Sequence, residues 1–109
     1  MTPLTAASAF DARRGQPGHF WVLKHSRACP SSLAACAEVA SFERDHPGEP
    51  VLRVVVQDSP SVSEHVAQAL GVPHETPQVL LIEDGRLAWH ASHDEVSQAA
   101  MEMARLPAF

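Results

Sequence analysis

The stretch Phe20-Trp21-Val22-Leu23-Lys24-His25-Ser26-Arg27-Ala28-Cys29-Pro30-Ser31-Ser32 decides the fold. Its opening is aromatic, β-branched or otherwise apolar and short, as a strand requires. Pro30 lacks an N–H and has a fixed φ, which suits the first turn of a helix. The Cys29 thiol is therefore expected at a helix N-terminus, where unpaired N–H groups and the positive dipole end favour an anion. That position favours the thiolate, which is the sulfur nucleophile. Three residues on, where a dithiol oxidoreductase carries its second cysteine, stands Ser32. The site reads as a redox motif with one cysteine, in which no Cys-x-x-Cys disulfide can form.

Working outward, Thr2 and Pro3 read as the N-cap and first residue of a leading helix over about 2–13. Gly15, Pro17 and Gly18 break the chain before a first strand over His19 to Lys24. Beyond Cys29, the residues Leu33, Cys36, Ala37 and Ala40 recur at helical spacing until His46-Pro47-Gly48. Val51 to Gln57 is nearly all apolar, a strand covered on both faces. Ser61 with Glu64 forms a capping box, Val62, Val66, Ala69 and Leu70 supply a buried face, and Gly71 stops that helix ahead of Pro73. Gln78 to Glu83 and Arg86 to Ala91 flank Asp84-Gly85, a hairpin signal. Ser92 with Glu95 reads as a second capping box, with Val96, Ala99, Ala100 and Met103 as the core stripe of a last helix.

The order is α-β-α-β-α-β-β-α. Strands joined by a helix should be parallel with a right-handed crossover, and the hairpin adds an antiparallel pair. The expected fold is α/β and thioredoxin-like: a central four-stranded mixed sheet flanked by helices, with an extra N-terminal helix. One domain spans residues 1–109, its core running over about 19–106. A net charge of −5 argues against nucleic acid as a partner. No run is long enough to span a membrane, so no membrane partner is expected. The first residues, Met1-Thr2-Pro3-Leu4, lack the basic start and apolar stretch of a secretion signal, so a cytoplasmic location is expected. In that reducing compartment two cysteines are chemical or buried rather than bridged. None of the seven histidines has the spacing and cysteine company of a zinc site.

Cys29 reads either as a nucleophile or as a small buried hydrophobe; the strand, the basic residues beside it and the helix-opening proline favour the nucleophile. Lys24, His25 and Arg27 could each stabilise the thiolate, although strand alternation keeps all three from pointing at it. His25 is the best placed, the alternative being a solvated loop histidine. Ser32, one turn after Cys29, either donates a hydrogen bond to the sulfur or is a plain first-turn serine. Cys36 lies about 10.5 Å farther along the helix by rise alone, beyond the roughly 7 Å that a disulfide allows between Cα atoms, and reads as core packing. Thr76-Pro77 is either a strand start or a cis-proline near the thiol that leaves Thr76 backbone groups free for substrate. Ser92 is explained as an N-cap, and His93 is either solvated or presented to an anionic ligand at a helix N-terminus.

Three of these segments, in this order, carry a resemblance. Lys24-His25-Ser26 with Cys29-Pro30, then Pro77-Gln78-Val79-Leu80-Leu81, then Trp89-His90-Ala91-Ser92-His93 resemble the bacilliredoxin-type monothiol proteins of the bacillithiol system, over about His19 to Met103. The resemblance implies a thioredoxin-like, cytosolic thiol–disulfide exchange protein. Its catalytic cysteine, here Cys29, attacks a protein–S–S–bacillithiol bond and takes the bacillithiol onto itself. Free bacillithiol, or a bacillithiol disulfide reductase acting on the resulting disulfide, then restores the thiol. The resemblance also implies a cis bond at Pro77 and a place near the site for Ser92 and His93. It departs at Arg27-Ala28, since the family's loop is usually Ser-Thr-x-Cys.

No tightly bound cofactor is expected; bacillithiol is a co-substrate, and S-bacillithiolated proteins and the reductase are the partners. A cationic rim of Lys24, His25 and His93 would suit the carboxylates of bacillithiol's malate moiety. The competing reading is a non-enzymatic thioredoxin-fold binding module, either a redox-inert adaptor or an iron–sulfur carrier of monothiol glutaredoxin type. A one-thiol carrier must dimerise and borrow external thiols. The Cys-Gly-Phe-Ser first turn of such carriers is replaced here by Pro30 and Ser31.

Overall fold

In the computed structural model, which describes residues 1–105, the apolar run after His19 forms the central strand of a five-stranded sheet. Position 106, the expected end of the core, and the rest of the expected domain to 109 lie outside the described residues. The elements are β1 (Thr2–Pro3), α1 (Ala7–Arg14), β2 (His19–His25), α2 (Pro30–Asp45), β3 (Val51–Val55), α3 (Pro60–Leu70), β4 (Gln78–Glu83), β5 (Arg86–Ser92), a single 3₁₀ turn (His93–Glu95) and α4 (Gln98–Arg105). The strand order is β1-β3-β2-β4-β5. β2 runs parallel to β3 and antiparallel to β4, and β4 and β5 form the expected hairpin. The sheet is mixed and the fold class is the one expected.

Strand alternation divides the core. Trp21, Leu23, Val51, Val79 and Leu81 pack on one face beneath Ala35, Val39 and Phe42 of α2 and Met101 of α4. Phe20, Val22, Val54, Leu80 and Ile82 pack on the other, against Phe10 of α1 and Val62 and Val66 of α3. β2 and β4 are thus covered on both sides, which is why their sequences are continuously apolar.

Several expectations are corrected. Thr2 and Pro3 do not open a helix: they add a short fifth strand parallel to β3, pairing with Leu52 and Arg53, and α1 begins after Ala6. Proline is tolerated there because β1 is an edge strand and needs no N–H on its open side. The third strand ends at Val55 rather than Gln57, and β5 continues through Ser92. Neither capping box forms. α3 starts at Pro60 with Ser59 before it, which places Ser61 inside the helix, and Ser92 is the last residue of a strand. The first turn of α4 is held instead by Ser97 Oγ, which accepts the Ala100 N–H at 3.0 Å.

The helix phases also differ. The buried stripe of α2 is Ser32, Ala35, Val39 and Phe42, while Leu33 is 62% exposed. Phe42 meets Trp21 edge-on at 5.1 Å between ring centroids, and burying that aromatic pair outweighs burying Leu33. α4 starts late and buries Met101, which leaves Met103 81% exposed. The turns match expectation. Asp84 and Gly85 have φ of 50° and 83°, the geometry of a two-residue hairpin turn, and Gly71 closes α3 with φ 68°.

Candidate active site

The chain leaves β2 at His25, turns through Ser26–Ala28 and enters α2 with Cys29 in the N-cap position and Pro30 behind it. The turn is bolted to the loop after β3. Gln57 Oε1 accepts the Arg27 N–H at 3.2 Å, and Gln57 Nε2 donates to Ser26 Oγ at 2.7 Å. Ser26 Oγ also accepts the Ala28 N–H at 3.3 Å, and Arg27 pairs with Asp58 at 2.7 Å. Gln57 and Asp58 gave no signal in the sequence, because their role depends on two loops 30 residues apart meeting at the ends of parallel strands.

Cys29 is half-exposed, with Ser31 Oγ 2.9 Å from its Sγ. The Ser31 hydroxyl, followed by the backbone N–H groups of Ser32 and Ser31, holds the Cys29 thiol below its ordinary pKa. Desolvation acts weakly against this, and the Ser32 hydroxyl contributes least. A thiol so placed ionises more readily than a free cysteine, which is what nucleophilic attack on a disulfide requires.

The residues expected to stabilise the thiolate are placed differently. Lys24 is fully buried on the α3 side of the sheet, and its Nζ lies 3.1 Å from His74 Nδ1. Burial lowers its pKa to about 8. His25 is buried beside α2, with Nδ1 lacking a hydrogen-bond partner. Burial, aided by the charges of Arg53 and Arg27, lowers its pKa and keeps it neutral. Neither Lys24 nor His25 acts on Cys29. Ser32 is buried too, and its Oγ accepts the Ser26 N–H at 3.3 Å. Ser31, which no sequence motif singles out, makes the side-chain contact to sulfur.

The residues expected on the substrate side gather at one end of the sheet. The Thr76-Pro77 bond is cis, and Gln78 directly after it pairs with Lys24 at the end of β2. His93 adopts a left-handed φ of 56°, donates its N–H to Pro77 O at 2.9 Å and sets its ring 3.0 Å from a Glu75 carboxylate oxygen. Ser92 is buried at the end of β5, opposite Gln78. A cavity of about 380 Å³ lies to the α3 side, lined by Val56, Pro60, Ser63, Glu64 and His74; Cys29 is not among its walls. The thiol stands half-exposed outside that cavity.

A parallel strand–helix unit with one thiol at the helix N-terminus, and a cis-proline leading into an antiparallel hairpin of the same sheet, defines a thioredoxin-fold protein of the monothiol class. Solved structures agree on the fold. A thioredoxin-fold protein proposed to be an oxidoreductase superposes with a TM-score of 0.88 at 24% identity, over 94% of this chain and 91% of that one. Oxidised mitochondrial thioredoxin 3 of Saccharomyces cerevisiae gives 0.76 at 16% identity, over 94% and 91%. A thioredoxin of Plasmodium falciparum gives 0.77 at 13%, over 99% and 100%. The sequence model of the monothiol bacilliredoxin BrxC family matches residues 2–101, and the chain belongs to that family. Its role is accordingly one of thiol redox chemistry.

Proposed function

We propose that the protein removes bacillithiol from protein mixed disulfides in the cytoplasm, with Cys29 as nucleophile. The observation that carries this reading is the site itself: an activated, accessible thiol at the start of α2 with a hydroxyl, Ser32, where a resolving cysteine would stand. In the first half-reaction the Cys29 thiolate attacks the bacillithiol sulfur of the client disulfide. A Cys29–bacillithiol disulfide forms, and the client sulfur leaves as a thiolate with the electron pair. With no second thiol within reach, a second bacillithiol attacks the adduct, forming bacillithiol disulfide and releasing Cys29. A reductase then recycles that disulfide. Backbone groups of Thr76 beside Pro77 align the client, and His93 and Ser92 shape the far rim.

Intact-mass measurement after mixing the reduced protein with a bacillithiolated client tests this. Wild type and Cys36→Ser should strip the client and carry the adduct, and Cys29→Ser should do neither. Transfer that depends on Cys36 would overturn the assignment of the nucleophile. Absence of any transfer would leave a thioredoxin-fold binding module.

A further inference from the structure

The basic side chains expected near the thiol are otherwise engaged. Lys24 is bonded to His74, Arg27 to Asp58, and His93 to Glu75. The Ser32 hydroxyl takes the Ser26 amide. Cys29 Sγ shares a 2.9 Å side-chain hydrogen bond with Ser31, while the Ser32 hydroxyl contributes least at the sulfur. Ser31 is exposed in the first turn of α2, two residues past the sulfur, so its hydroxyl can follow the sulfur's charge without disturbing the core.

We propose that Ser31 is a catalytic residue, its hydroxyl donating to Cys29 Sγ whenever that sulfur is anionic, both as attacking group and as leaving group. The proposal rests on the exchange reading for Cys29 and assigns the site a group that the Cys-Pro motif does not reveal. For a small thiol RSH, Cys29–S⁻ attacks client–S–S–R, the Cys29–S–S–R bond forms and client–S⁻ departs. R–S⁻ then attacks the R-side sulfur, R–S–S–R forms and Cys29–S⁻ departs. The sum converts the client mixed disulfide and RSH into client thiol and RSSR, with no other oxidant or reductant.

The two halves respond differently to the same hydrogen bond. Stabilising the anion raises the thiolate fraction near neutral pH but lowers the sulfur's intrinsic nucleophilicity, whereas a better-stabilised leaving thiolate always leaves faster. Removing the hydroxyl therefore slows attack at neutral pH, leaves it equal or faster once both thiols are ionised, and slows resolution at every pH. A merely structural role does not produce that crossing.

The test uses the full chain in a Cys36→Ser background with Ser31→Ala, Ser31→Thr and Ser32→Ala. Iodoacetamide alkylation and reaction with bis(2-hydroxyethyl) disulfide are followed from about pH 5 to about pH 10. Release of the 2-mercaptoethanol adduct by 2-mercaptoethanol reads the second half. Ser31→Ala should cut alkylation roughly threefold to tenfold below neutrality and show the crossing. Ser31→Thr should restore the parent profile, and Ser32→Ala should change less. A Ser31→Ala profile superimposable on the parent, or a larger shift in Ser32→Ala, would overturn the proposal. If Ser31→Ala shows the crossing against the parent with small disulfides but the parent leaves a bacillithiolated protein untouched, the proposed function is overturned and not the assignment of Ser31.

Discussion

The ammonium of Lys24 lies 3.1 Å from Nδ1 of His74, and among the described residues no carboxylate meets it. The same Nδ1 lies 3.1 Å from the Ser63 hydroxyl. An ammonium can only donate, so Nδ1 accepts, and the imidazole is held neutral with its proton on Nε2. Burial, then the Lys24 charge, lowers the His74 pKa and keeps it in that form. A buried cation with a neutral partner is a cost to stability rather than a gain.

That cost predicts an alkaline dependence of stability. The folded pKa of Lys24 is about 8 against an ordinary 10.5, so between those values the unfolded chain binds more protons and stability rises with pH. Below that window the penalty is present in full. Lys24 is the chain's only lysine and there is no tyrosine, so with both cysteines changed to serine little else titrates there. Lys24→Met in that background should raise neutral-pH stability by roughly 1–3 kcal/mol and flatten the alkaline rise in urea denaturation. A loss of stability would mean that the His74 bond outweighs desolvation.

Gln57 ties the turn before the nucleophile to the loop after β3 through two hydrogen bonds. Gln57→Ala should cost about 1 kcal/mol of global stability. It should also speed amide hydrogen exchange at Arg27 and Ala28 and slow thiol exchange roughly twofold to tenfold. Unchanged protection at those two amides would remove Gln57 from the positioning role.

His93 holds a left-handed backbone where its N–H must reach Pro77 O. Its pairing with Glu75 is between half-exposed groups and adds at most about 1 kcal/mol. His93→Gly should therefore be more stable than His93→Ala by about 1 kcal/mol, as compared by thermal unfolding. Equal stabilities would show that the backbone relaxes once the imidazole is gone.

The phase of α2 is open to a direct check. Leu33→Ala should cost within about 0.5 kcal/mol, as expected at a surface position, and Phe42→Ala roughly 3–5 kcal/mol. Chemical denaturation of the two variants decides it, and a large cost at Leu33 would restore the stripe read from spacing.

Local patterns made much of this legible. Asp84-Gly85 between two apolar runs specified the hairpin, because few other residues accept two consecutive positive φ values. The run from His19 followed by Cys29-Pro30 specified the strand, the helix start and the thiol between them. The capping boxes at Ser61 and Ser92 misled because a Ser-x-x-Glu spacing recurs wherever polar residues cluster. Neither serine caps an α-helix once Pro60 opens α3 and β5 continues to Ser92 ahead of a 3₁₀ turn. Leu33 misled because two helical stripes fit α2 equally well, and only the position of Trp21 selects the one containing Phe42.

The sequence by itself determined the order of strands and helices from α1 onward, the single thiol at a helix N-terminus and the want of a resolving cysteine, since each follows from neighbours within a few residues. The tertiary structure alone decided what surrounds that thiol. Which of Ser31 and Ser32 reaches the sulfur depends on the rotation of α2 about its axis, and whether Lys24 faces Cys29 or His74 depends on the face of β2 that carries it. That Gln57 grips Ser26 and Arg27 depends on which loops meet at the end of the sheet. Those are set by burying Phe42 against Trp21 and by the parallel register of β2 with β3, contacts between residues far apart in the chain.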